Sequence, residues 1–119
     1  MRVSQVGEPR VYLSFDSSSE DTPEETGSVG VSFEVTVEER AEEDGPMVAK
    51  VRCSRGRSLN GKAIEKGGRT GWLVFHIPCD LCPAGKLLRF RALLDKAVIW
   101  QAEYEIVWRG RFPGLVSTT

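Results

Sequence analysis

The residues best suited to chemistry lie in one stretch, His76-Ile77-Pro78-Cys79-Asp80-Leu81-Cys82-Pro83-Ala84-Gly85. A Cys-x-x-Cys at a tight turn aims two thiolates at one ion, and His76 with Cys53 would complete a tetrahedral zinc site. These are all the cysteines and histidines of the chain, so a closed structural site would use Cys53, His76, Cys79 and Cys82 together. Against zinc stand the lack of a second Cys-x-x-Cys and the position of Cys53, which alternates with Ala49 and Val51 as a core residue does. The same pair could instead close a disulfide with an attackable sulfur. A thioredoxin-type site is not expected, because that motif opens a helix in a βαβ unit, whereas Pro78 and Pro83 favour a rigid β turn. The third alternative is reduced cysteines packed as small hydrophobes. Zinc is the only cofactor these residues suggest.

A second candidate is electrostatic. Residues 50–69 hold seven bases and one acid, with Arg52, Arg55, Arg57, Lys62, Lys66 and Arg69 as the expected anion-binding set of a basic loop. Clustered cations with glycine-exposed backbone amides suit phosphate, and Arg109-Gly110-Arg111-Phe112 could extend the patch. No aromatic residue interleaves within the loop and no nucleic-acid motif is recognisable, so nucleic acid ranks below a solvated loop facing an acidic half. That acidic half is real: residues 1–45 carry 12 acids and three bases, residues 46–119 five acids and 13 bases. Residues 16–28 are acidic and serine-rich with nothing apolar to bury, as expected of a mobile loop. They could meet a basic partner or accept phosphate at Ser17 to Ser19.

The usual catalytic constellations are missing. The sequence has one histidine, no nucleophile elbow and no glycine-rich loop between strand and helix. Glu103 and Glu105 share a strand face but suit a solvated surface better than an acid–base pair. No catalytic residue is assigned, and an enzyme is not expected.

The elements that must position these groups are strands. Trp100, Ala102, Tyr104, Ile106 and Trp108 alternate with Gln101, Glu103 and Glu105, the period-two pattern of a half-buried strand. Leu88, Phe90, Ala92 and Leu94 alternate with Arg89, Arg91 and Leu93, so Leu87 to Trp108 predicts a hairpin turning near Asp95-Lys96. Val31 to Val37 and Met47 to Cys53 alternate likewise and predict a second hairpin through the charged Glu39–Pro46 connector. Residues 70–77 carry bulk on both faces, predicting a strand covered on both sides. Val11 to Phe15 forms an early strand, and Val3 to Val6 could add an edge. Leu59 to Lys66 is expected to form at most one helical turn.

Six or seven short strands without sustained helical periodicity predict an all-β, antiparallel β-sandwich, one domain over residues 1–119. In that pattern the chain resembles immunoglobulin-like and fibronectin type III-like domains in architecture alone, since Cys53 and Cys79 do not stand in a Cys-Trp-Cys framework. No apolar run approaches the length of a membrane helix, and residues 1–9 contain no signal-like apolar stretch, so a cytoplasmic location without membrane contact is expected. The function expected first is a non-catalytic protein-interaction or assembly module, binding a protein partner or itself through a sheet face or edge. Trp72 and Trp108 are its candidate exposed aromatics. A small metal-binding or redox domain and an anion or nucleic-acid binder are the alternatives.

Overall fold

The computed structural model describes residues 1–14, 27–53, 57–67 and 69–118. In it two five-stranded antiparallel sheets pack face to face. Sheet A contains β1 (Arg2–Val6), β2 (Arg10–Ser14), β3 (Ser28–Glu38), β6 (Lys62–Lys66) and β7 (Thr70–Pro78). Sheet B contains β4 (Val48–Arg52), β5 (Ser58–Asn60), β8 (Leu87–Leu94), β9 (Ala97–Arg109) and β10 (Phe112–Ser117). The order in sheet B is β10-β9-β8-β4-β5; in sheet A, β3 lies between β7 and an edge shared end to end by β1 and β2, and β6 flanks β7.

Alternation decides what each sheet buries. On β3 the side chains of Val29, Val31, Phe33, Val35 and Val37 point inward and are buried, as are Leu73, Phe75 and Ile77 on β7. Sheet B answers with Ala49, Val51, Leu88, Phe90, Ala92 and Ile106. Phe33 is the hub, with ring centroids 5.0 Å from Phe90, 5.1 Å from Trp100, 5.8 Å from Tyr104 and 6.3 Å from Phe75. The pairs with Phe75, Phe90 and Trp100 are edge-to-face and that with Tyr104 is tilted; edge-to-face pairs add about 0.5–1.5 kcal/mol each beyond the area they bury.

The β8–β9 hairpin forms as its alternation requires, with Leu94 opposite Ala97. Its two-residue turn is Asp95-Lys96, both at positive φ (50° and 69°). Two successive left-handed residues match the twist of the flanking strands, so this turn geometry is adopted without the glycine it prefers.

Four expectations need correction. The described residues form ten strands rather than six or seven. Val31–Val37 and Met47–Cys53 are not a hairpin: β3 pairs with β1, β2 and β7, while β4 pairs with β5 and β8 in the other sheet. Leu59 to Lys66 is not a helical turn. It is β5 in sheet B followed by β6 in sheet A, and Gly61 carries the chain between them while its N–H donates to the Ala49 carbonyl at 2.8 Å. A Cβ there would lie 2.5 Å from Phe75 Cδ1 and 2.7 Å from the Val74 carbonyl, so only glycine fits. Finally, β7 is covered on one side: its outer residues Trp72 and Val74 are half-buried and His76 is exposed. Phe15 and most of the acidic 16–28 segment lie outside the described residues.

Candidate functional site

The Cys-x-x-Cys stretch forms a short 3-10 turn, Cys79–Leu81, with the Cys82 N–H donating to the Cys79 carbonyl at 3.0 Å. Trp108 Nε1–H donates to the Cys82 carbonyl at 2.7 Å, and the Cys79 N–H donates to the Gly27 carbonyl at 3.1 Å, pinning the turn to both sheets. Cys53 and Cys82 are buried reduced thiols. Burial pushes the Cys82 thiol up to about 12, reinforced by Cys53, Cys79 and Asp80. Burial also raises the Cys53 thiol, against the opposing pull of Arg57. These surroundings favour the protonated thiol, the opposite of what a nucleophile needs. His76 faces the other way. It is exposed on the outer face of sheet A, its ring edge-on to Tyr12 with centroids 6.1 Å apart. Among the described residues no three His, Cys, Asp or Glu side chains are grouped as a metal ion requires.

The basic run is not one loop. Because Gly61 switches the chain between sheets, Arg52 ends on the outer face of sheet B, whereas Lys62 and Lys66 lie on the outer face of sheet A and Arg69 in the turn after them. Arg57 is exposed just before β5, and Arg55 lies outside the described residues. The strand cations among the described members of this set are therefore divided, Arg52 on sheet B and Lys62 and Lys66 on sheet A.

Sheet register assembles a different set. On β4 and β8, Lys50 stands directly opposite Arg91 and Arg52 opposite Arg89, four cations at the corners of a square on the outer face of sheet B. Cross-strand neighbours of this kind have Cβ atoms about 4.5–5.5 Å apart, and like charges so placed repel. Arg89 has one acidic partner, Glu103 Oε2 at 3.3 Å. Lys50, Arg52 and Arg91 make no salt bridge to any described residue, and the Arg91 Nε–H is buried without an acceptor among them. Lys50 also faces Asn60, and Arg52 faces Ser58, neither of which offsets charge.

Apolar side chains border the square. Val48 pairs with Leu93, which pairs with Val98, and both valines are exposed. At the opposite end Leu87 and Val116 flank Glu105 and are also exposed. Arg52 alone of this set was singled out from sequence. Lys50-Val51-Arg52 and Arg89-Phe90-Arg91 each show two cations around one core residue, a signal of cationic strand faces, but only the register puts the two pairs together. Comparison with family models, curated proteins and solved structures finds no match.

Proposed function

We propose that this chain is a non-catalytic interaction domain that docks an acidic protein partner on the outer face of sheet B. The observation that carries the proposal is the pairing of Lys50 with Arg91 and Arg52 with Arg89. Each like-charge pair costs the isolated fold several tenths of a kcal/mol, and a carboxylate-bearing partner turns that cost into attraction. Arginine among exposed aliphatic side chains is the composition of a protein-contact centre. No aromatic ring stands among the four cations to stack a base, which disfavours a nucleic-acid strand.

The strand order supports an immunoglobulin-like or fibronectin type III-like sandwich. The series β1/β2-β3-β7-β6 corresponds to strands A-B-E-D of that architecture and β4-β8-β9 to C-F-G, with β5 and β10 added at the edges. Such folds host many functions, so the assignment rests on the face rather than the fold.

The test is titration of the protein into fluorescent poly-glutamate and, separately, into oligodeoxythymidylate at low salt. Saturable binding to poly-glutamate that weakens steeply as salt is added supports an acidic protein partner. Preference for the oligonucleotide, or binding to neither, contradicts it.

A further inference from the structure

The opposite face carries a different kind of site. The edge of sheet A is broken between Val6 and Arg10: Val6 pairs with Val35 and Arg10 with Ser32, so the edge advances four residues where β3 advances three. The extra residue and Pro9 interrupt the ladder, and the Gly7 N–H alone continues it, donating to the Glu34 carbonyl at 2.9 Å. Above this break lies an open depression of about 340 Å³ lined by Gly7, Glu8, Arg10, Ser32, Glu34 and Trp72.

Trp72 stands beside Glu34 on the outer face, with Ile64 on its other side, and is half-buried. Glu8, Arg10, Ser32 and Glu34 bring acceptors, a planar donor and a hydroxyl to one rim. None of the salt bridges among the described residues joins Arg10 to either carboxylate. Convergent polar groups left unspent on one another beside an aromatic face are the composition of a small-molecule site.

Charge narrows the ligand. Two carboxylates beside one guanidinium repel phosphates and carboxylates, while a simple amine would leave Arg10 facing like charge. A sugar hydroxyl both donates and accepts, so it satisfies carboxylate and guanidinium alike, and the apolar C–H face of a pyranose ring covers an indole. A second aromatic extends the track. Tyr12, two residues beyond Arg10 on the same face, is 41% exposed and lies across Gly30, where any Cβ would collide with its ring. The rows of Trp72 and Tyr12 are four β3 residues apart, about 13 Å at the strand rise. That separation suits a chain of sugars rather than a single ring.

We propose that the broken edge of sheet A binds a neutral oligosaccharide, with Trp72 as the stacking platform and Glu8, Arg10, Ser32 and Glu34 as hydroxyl partners. The experiment is native gel electrophoresis of the whole chain through gels containing laminarin, xylan, galactomannan or dextran, followed by tryptophan-fluorescence titration with the retarding glycan. Retardation by at least one glycan is expected, with Trp72→Ala abolishing it and the exposed pair R10A/E34Q weakening binding at least tenfold while leaving the thermal midpoint in place. R52E/R91E, on the other sheet, should bind as the wild type does. Unchanged mobility in all four glycans overturns the proposal, as does equal retardation of the R10A/E34Q variant.

Discussion

Lys50 stands directly across from Arg91 on adjacent strands of sheet B, and no carboxylate among the described residues pairs with either. Replacing one of the two cations with an acid should therefore stabilise the isolated protein. Lys50→Glu is expected to raise unfolding stability by about 0.2–1 kcal/mol, measured by urea titration at low salt. Wild-type stability should also rise as salt screens the square, an increase the variant largely loses. A destabilised Lys50→Glu would mean the cations do not repel as placed.

Phe33 meets four other aromatic rings and is completely buried. Phe33→Ala should cost about 3–5 kcal/mol, since the rings around it cannot close the cavity. Chemical denaturation measures this directly; a loss below about 1 kcal/mol would show that the two sheets do not meet at this residue.

The turn at Asp95-Lys96 holds two non-glycine residues at positive φ. Lys96→Gly removes the steric penalty at φ 69° and should raise stability by up to about 1 kcal/mol despite the added freedom of the unfolded chain. Gly61→Ala should do the opposite, losing about 1–3 kcal/mol as its methyl meets Phe75 and the Val74 carbonyl. Thermal midpoints of the two variants moving in opposite directions would support both local geometries.

The buried thiol sets an alkaline limit. Cys82 ionises at about 12 in the folded chain against an ordinary 9.0, so the unfolded thiol loses its proton first. The stability it contributes is whole below pH 9 and is lost as pH climbs toward 12, by up to about 1.4 kcal/mol per unit. Cys53 and Tyr104 are raised in the same direction by burial. Urea midpoints between pH 8 and pH 11 should fall, and Cys82→Ala should flatten that fall; an equal slope in the variant would contradict the assignment.

What the sequence revealed divides along physical lines. The β8–β9 hairpin was legible because apolar and polar residues alternate from Leu88 to Ala92 and from Trp100 to Ile106, broken only by the register shift near the turn, and the partner strands are contiguous. β10 was not, because Phe112-Pro113-Gly114 has the composition of a loop and acquires strand geometry only by pairing with β9. β5 and β6 were hidden by Gly61, which ends one strand and begins another in three residues. Alternation states which side chains share a face of one strand and says nothing of which strand lies beside it. For that reason Arg52 was recognisable as a candidate cation, while its place among Lys50, Arg89 and Arg91 emerged only from the pairing of β4 with β8.

The most direct measurement compares two triple charge reversals that change net charge equally, K50E/R52E/R91E on sheet B and R10E/K62E/K66E on sheet A. Elution from immobilised poly-glutamate in a rising salt gradient gives the result. The sheet B variant should elute at much lower salt than the wild type, with the sheet A variant close to the wild type. Equal shifts for the two variants would show that net charge alone governs binding and would contradict the square on sheet B as the docking face.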